Sequence, residues 1–446
     1  MTNIVYWNIR QFSINLIDSP DANFVPNIAG LTYAAASQQR LAVILAVINA
    51  AQADIISIVE VQTGSDNWGD LCSDSGGMQA ARTLLNRLRL ADAAAQWRLV
   101  PPLWLGARGG NAPAGVHAET VAVLYRGVTG NVARYFTGPN VWTGGFGGVS
   151  VNPLPGPVAP QNYPPPFNTL IDAPAAAMPA RVIPAAGPLY RAGQFENQSA
   201  ARIEFSRAAA RAGGRRARID IYGGFRPPFM TSFYEVSIIA PLVVQRNLTL
   251  FSTHSPPNKT GAKALMRAYA GTPEISDAPG ANETKILCGD FNIDFLTAGG
   301  AYSGAYAPVI GLGYQSLLPP HPVPPVNPNH RRAYLGYFAT HMRDQPRRAN
   351  AAASRFLWSN GAGALSYYPG YGYSSTGQTA SIDNILVNPG AAQPLTIMNL
   401  VTGSPFAAPV GWPMPPAPNY PPLGATVLAW QFANLPALPV WPPPTR

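Results

Sequence analysis

The chain has 446 residues, 47% hydrophobic and only 11% charged, with 48 Pro and 42 Gly, which allows a large buried core and up to three domains. Its two cysteines, Cys72 and Cys288, exclude a disulfide framework or a zinc pattern, and no uninterrupted apolar run is long enough to span a bilayer. The formal charge of +9 favours an acidic partner such as nucleic acid, a phosphorylated ligand or an anionic membrane, and equally fits a mildly basic protein.

The first residues, Met1-Thr-Asn-Ile-Val-Tyr6, enter a strand directly, without the basic and apolar regions of a cleaved signal peptide. The expectation is a soluble protein whose compartment is open. Ile4-Val5-Tyr6-Trp7 predicts a first strand with Asn8 at its end. Residues 34–53 place Leu41, Ile44, Leu45 and Ile48 at helical spacing. Asp54 to Val59 predicts a second strand, followed by Glu60, and residues 78–90 a second helix. Glu119 to Tyr125 alternates β-branched residues and predicts a third strand.

From 127 to 200 the composition turns to Pro, Gly, Ala and Asn and reads as an insertion. Arg202, Arg207, Arg211, Arg215, Arg216 and Arg218 then form either a phosphate-tracking patch or a solvated hairpin tip. Phe225 to Ile239 and Leu248 to His254 predict further strands. A second irregular stretch, 296–380, holds Pro319 to Pro328 and the Gly/Tyr run from Tyr367 to Tyr373. Ser381 to Val387 predicts another strand, and Ala425 to Phe432 a candidate last one within a Pro-rich tail.

Between those two irregular stretches, Ile286-Leu287-Cys288 reads as a buried strand running into Gly289-Asp290-Phe291-Asn292. Gly289 would let the backbone bend there. Asp290 and Asn292 stand two apart, so an extended chain would aim both side chains the same way. A carboxylate beside an amide suits a hard cation or a phosphate oxygen; the same residues also fit a turn with an Asx cap. Acidic or amide groups recur at strand ends, at Asn8, Glu60, Asp290 with Asn292, and within a strand at Asp383. That recurrence argues for one polar site at one end of a sheet core. His254 is the histidine at a strand end.

In chain order, Tyr6-Trp-Asn-Ile9, Asp54 to Val61, Glu119 to Arg126, Arg226-Pro-Pro-Phe229, Thr253-His254, Gly289-Asp-Phe-Asn292 and Ile382-Asp-Asn-Ile-Leu386 resemble the endonuclease/exonuclease/phosphatase (DNase I-like) superfamily. The resemblance implies one α/β domain over 1–446, a two-sheet β-sandwich flanked by helices. Pro/Gly-rich insertions would lie at 127–200 and 296–380, and 388–446 would be a Pro-rich C-terminal segment. It further implies that Glu60 binds Mg²⁺ or Mn²⁺ with Asn8 beside it. Asp290 would position the attacking water and Asn292 the phosphate. His254, held by Glu119, would polarise the phosphate, Arg226 would meet the substrate backbone, and Asp383 would orient a second histidine. Gln62 stands where DNase-like members often carry a basic groove-contacting residue.

That second histidine is where the chain departs from the resemblance. The superfamily's Ser-Asp-His motif before a final strand has no counterpart: the last histidine is His341, upstream of Asp383. Neither Thr402 to Phe406 nor Asn419 to Ala425 contains Asp or His. His321, His330 and His341 read as loop residues, or as a replacement imidazole folded over the site; His117 reads as a loop residue. The expected function is a Mg²⁺-dependent phosphodiesterase acting on DNA or RNA, weakened by the missing pair. The alternative is an inactive member of the fold that binds a partner or self-associates through the Pro/Gly/Tyr-rich stretches.

Overall fold

The computed structural model describes residues 2–24, 30, 32–62, 76–100, 119–138, 228–239, 244–256, 259–280, 282–295, 297, 302–316 and 382–390. Four strands, β1 (Ile4–Phe12), β2 (Ile55–Gln62), β3 (Trp97–Leu99) and β4 (Glu119–Arg126), make a small sheet in the order β1-β2-β4-β3. Seven more, β5 (Val128–Thr129), β6 (Val132–Gly138), β7 (Phe229–Ser237), β8 (Val244–His254), β9 (Glu283–Asp290), β10 (Gln315–Ser316) and β11 (Asp383–Pro389), make a larger one in the order β10-β11-β9-β8-β7-β6-β5. This is the expected α/β architecture, two mixed sheets with helices.

Period-two alternation turns one face of each strand towards the other sheet. In the small sheet, Ile4 and Tyr6 of β1, Ile55 and Val59 of β2, and Val121, Val123 and Tyr125 of β4 face Phe233, Leu250 and Ile286 of the large sheet. The opposite parity, Val5, Ile9, Ile56, Ile58, Ala122 and Leu124, lies under helices. Those helices are α1 (Ile14–Ile17), α2 (Tyr33–Ala50) and α3 (Gly76–Ala91). In α3, Met78, Ala81, Leu84, Leu85 and Leu88 recur every three or four residues and are buried, forming one apolar stripe. Each such Leu or Ile stabilises the fold by about 1.5–3 kcal/mol relative to exposure.

The large sheet is backed by α4 (Lys259–Ala270), α5 (Pro273–Ser276) and α6 (Ala307–Ile310). β8 and β9 are parallel, so the chain must cross over between them, and α4 and α5 form that crossover. Among the described residues no helix is long and apolar enough to cross a membrane.

One end of the sandwich is tied by a buried ionic group. Glu235 takes hydrogen bonds from Arg134, Arg246 and the Thr2 hydroxyl, while Asp54 accepts from the Asn3 backbone and from Thr129. Burial alone would raise the Glu235 carboxyl, but Arg134 and Arg246 outweigh it and hold it below the ordinary carboxylate range. Arg246 pairs beside Glu235, eight residues before His254 on β8, or about 26 Å along the strand.

Several boundaries differ from expectation. Asn8 and Glu60 lie inside β1 and β2 rather than beyond their ends. The composition-based bounds of the insertions take in parts of the large sheet: β5 and β6 lie within 127–200, and α6 and β10 within 296–380. Gly130, with φ +54°, makes the two-residue turn between β5 and β6. A glycine-rich stretch there is a hairpin, not the start of an excursion. Cys72, the Arg202–Arg218 cluster and the candidate strand 425–432 lie outside the described residues.

Candidate active site

At the end opposite Glu235, six polar side chains converge between the sheets. Asn8 continues the inward parity of Ile4 and Tyr6 on β1, and Glu119 that of Val121 and Val123 on β4. On the large sheet, the Ser252 hydroxyl meets the Ser57 hydroxyl of β2 across the core at 2.7 Å. His254 shares the parity of Ser252, and Asp290 that of Cys288, which contacts Ser252. Asp383 of β11 pairs directly with Asp290, so both carboxylates project on the same face.

Glu60 needs a special device. Val59 faces the other sheet and Val61 faces the helices, and regular alternation would put Glu60 under the helices. Instead the register slips on both sides of this stretch of β2, and Glu60 has φ +57°. A left-handed non-glycine residue costs on the order of 1–3 kcal/mol. The bulge shifts the phase of the strand and brings the Glu60 carboxylate into the site.

The contacts there are specific. The Asn8 amide donates to Glu60 Oε1 at 2.8 Å and to Asp290 Oδ2 at 3.1 Å. His254 Nδ1 lies 2.8 Å from Glu119 Oε1, and its Nε2 lies 3.4 Å from Glu60 Oε1. One ligand atom each from Glu60, His254 and Asp290 fall within 4.8 Å of one another. Tyr6 donates its hydroxyl to Asp383 Oδ1 at 3.0 Å. Asn292, with φ +50°, is not extended from Asp290. Its backbone N–H donates to Asp290 Oδ1 at 2.9 Å and its side-chain amide to the Ser255 carbonyl at 2.7 Å. The motif is thus an Asx turn that also holds its residues at the site. One N–H of the Asn292 amide remains for another acceptor.

The electrostatics favour a cation. Asp383 is buried, and burial, then the neighbouring Asp290 and Glu60 carboxylates, push its carboxyl well above the ordinary range against the Tyr6 hydrogen bond. Four carboxylates, Glu60, Glu119, Asp290 and Asp383, gather here, and His254 is the one histidine among the described residues. Two carboxylates and an imidazole are a donor set that fits a divalent ion such as Mg²⁺, Mn²⁺ or Zn²⁺. The Nδ1 contact to Glu119 is the kind of outer partner that fixes a ligating or catalytic imidazole. Burial pushes the Cys288 thiol up to about 11, consistent with inert packing.

Gly289 has a different role from the one expected. A Cβ on it would lie 2.2 Å from the Thr253 carbonyl oxygen, so its lack of a side chain allows β8 and β9 to close up beside His254 and Asp290. Tyr6 was visible in the sequence only as a neighbour of Asn8; its parity with Asn8 was the signal for an inward hydroxyl. Arg226, His117, His321, His330 and His341 lie outside the described residues.

No protein-family model matches the chain, and no curated protein does. Solved structures do resemble it. An endonuclease/exonuclease/phosphatase family protein from Leptotrichia buccalis is 13% identical, with 87% of this chain and 89% of that one covered and a TM-score of 0.33. An endonuclease/exonuclease/phosphatase from Beutenbergia cavernae is 12% identical, with 90% and 68% covered and a TM-score of 0.36. A mannosyl-6-phosphatase from Bacteroides thetaiotaomicron is 12% identical, with 87% and 86% covered and a TM-score of 0.31. The likeness is one of structure and not of sequence. These overlaps are loose, and the chemistry of this chain has to be read from its own side chains.

Proposed function

We propose that the protein hydrolyses phosphodiester bonds with a divalent metal ion, and that its substrate is a polynucleotide. The observation that carries this reading is the meeting of Glu60, His254 and Asp290 within 4.8 Å, in a site where Asn8, Glu119 and Asp383 also converge. Glu60 and Asp290 would hold the ion, with Asn8 fixing both carboxylates. When bound, Mg²⁺ or Mn²⁺ supplies charge neutralisation at the phosphate and lowers the pKa of bound water.

The remaining roles belong to this chain's own side chains. His254, oriented by Glu119 and carrying a proton on both ring nitrogens, would donate from Nε2 to a phosphate oxygen. Asn292 offers its second amide N–H to another. Asp290 accepts a hydrogen bond from the attacking water and orients it. Asp383, held by Tyr6, stands next to Asp290, where the resemblance would have it orient a second imidazole. General acid–base help is worth about 10²–10⁴ in rate, so turnover without that imidazole is slow. Arg226 remains a proposed backbone contact. The net charge of +9 supports a polyanionic substrate.

The test is hydrolysis of bis(p-nitrophenyl) phosphate and nicking of supercoiled plasmid, with Mg²⁺ or Mn²⁺. Both activities should depend on metal and fall to background in Glu60→Ala. No hydrolysis, or hydrolysis unchanged by the substitution, overturns the reading.

A further inference from the structure

The helix that follows His254 carries a feature the site itself does not use. α4 reads Lys-Thr-Gly-Ala-Lys-Ala-Leu-Met-Arg-Ala-Tyr-Ala from Lys259 to Ala270 and contains no acid. Its apolar face, with Ala262, Leu265, Met266 and Tyr269, is buried against the large sheet. Lys259, Lys263 and Arg267 are all exposed. Their spacing of four residues puts them on one face, about 6 Å apart along the axis. No side-chain hydrogen bond or ion pair among the described residues engages any of the three. Like charges four apart on a helix repel, so folding gains nothing from collecting them there.

The position of this stripe gives it a purpose. Lys259 follows His254 by five residues, a chain length of at most about 17 Å. The helix is fixed relative to the site, because the Tyr269 hydroxyl hydrogen-bonds the hydroxyl of Thr253, the residue before His254. We propose that Lys259, Lys263 and Arg267 form a track for the sugar-phosphate backbone of the polynucleotide strand whose scissile phosphate sits at Glu60, His254 and Asp290. This proposal rests on the phosphodiesterase reading of the site. From Lys259 to Arg267 the stripe covers about 12 Å of helix axis, the axial length of roughly three to four phosphates of one strand. It would bind backbone without reading sequence.

The test compares the wild-type full chain with the triple variant Lys259→Gln/Lys263→Gln/Arg267→Gln. All three positions are on the exposed face, so the core of α4 is untouched. Binding of a fluorescein-labelled single-stranded oligonucleotide is followed by anisotropy in EDTA, where metal-dependent cleavage cannot consume the probe. The triple variant should bind about tenfold or more weakly at low salt, and its slope of log affinity against log salt should fall by about 2, the release expected for three lost contacts at about 0.7 each. Hydrolysis of bis(p-nitrophenyl) phosphate, too small to reach the stripe, should be unchanged.

Oligonucleotide affinity and salt slope equal to wild type overturn the track. So does absence of oligonucleotide binding by the wild type. Loss of binding only to phosphatidylserine vesicles would assign the stripe to a membrane surface and overturn it as well. A wild-type protein inert towards bis(p-nitrophenyl) phosphate, yet binding the oligonucleotide through the stripe, would remove the catalytic reading and leave the backbone track standing.

Discussion

His254 on the large sheet and Glu119 on the small sheet meet at 2.8 Å, Nδ1 to Oε1, across the gap between the sheets. The contact couples the two halves of the sandwich at the site. It also commits Nδ1 to the carboxylate, so Nε2 faces Glu60 and, in the proposed reaction, the phosphate. Removing the partner frees the ring to rotate. Glu119→Ala should reduce kcat on bis(p-nitrophenyl) phosphate about 10–100-fold, the usual cost of losing such an orienting group. KM should move far less. An unchanged kcat would show that Glu119 does not orient the ring for chemistry.

Gly289 sits where β8 and β9 pass closest to the site, with Thr253 directly opposite. Its missing Cβ is what lets the Thr253 carbonyl approach. Gly289→Ala must push the strands apart or strain them, and overpacking of this kind costs about 1–3 kcal/mol. Urea unfolding should show that loss, and metal affinity should drop with it, because His254 and Asp290 ride on the two displaced strands. A variant as stable as wild type would contradict the packing argument.

The Asp383 carboxyl is pushed well above the ordinary range by burial and by Asp290 and Glu60. A raised folded-state pKa contributes stability that is full below the unfolded value and lost as pH rises through the folded one. Metal-free Asp383→Asn should therefore melt higher than wild type at neutral pH, with the advantage shrinking towards acid. Metal-dependent activity should fall in the same variant. Melting curves in EDTA across pH 4 to 8, on the scale of ordinary carboxylate titration, check it; a difference independent of pH would contradict it.

Glu235 has the opposite sign. Despite burial, Arg134 and Arg246 hold its pKa low. Its contribution is present above the unfolded-state value and lost as pH falls through the folded one. Glu235→Gln should cost about 3 kcal/mol at neutral pH, because it removes the nearest carboxylate from the buried Arg134 guanidinium and leaves it only Asp54 at 3.9 Å. The gap to wild type in urea unfolding should close in acid. Because Glu235 lies at the end of the sandwich remote from the metal cluster, the folded fraction should keep its metal affinity.

Much of this arrangement was legible in the sequence because it follows from alternation. Ile4, Tyr6 and Asn8 share a parity, and so do His254 with Ser252 and Asp290 with Cys288. The position of Glu60 was not legible in the same way. Its inward aim depends on a left-handed residue inside β2, and a phase shift of that kind leaves no trace in apolar spacing. The β5–β6 hairpin was hidden because Gly130 and its neighbours share the composition of the insertion that follows. α4 escaped notice because Gly261 and the cationic stripe dilute its apolar pattern until burial of Leu265, Met266 and Tyr269 is seen. Partnerships across the sheets, such as Tyr6 with Asp383, join residues 377 positions apart and exist only in the folded chain.

The central claim is that Glu60 and Asp290 hold one divalent ion beside His254, and the most direct measurement is a Mn²⁺ titration of the full chain followed by electron paramagnetic resonance. The expected result is a single bound ion per chain, displaced by Mg²⁺ and absent from both Glu60→Ala and Asp290→Ala. A wild-type protein that leaves Mn²⁺ free in solution, or variants that bind it as wild type does, would contradict the account.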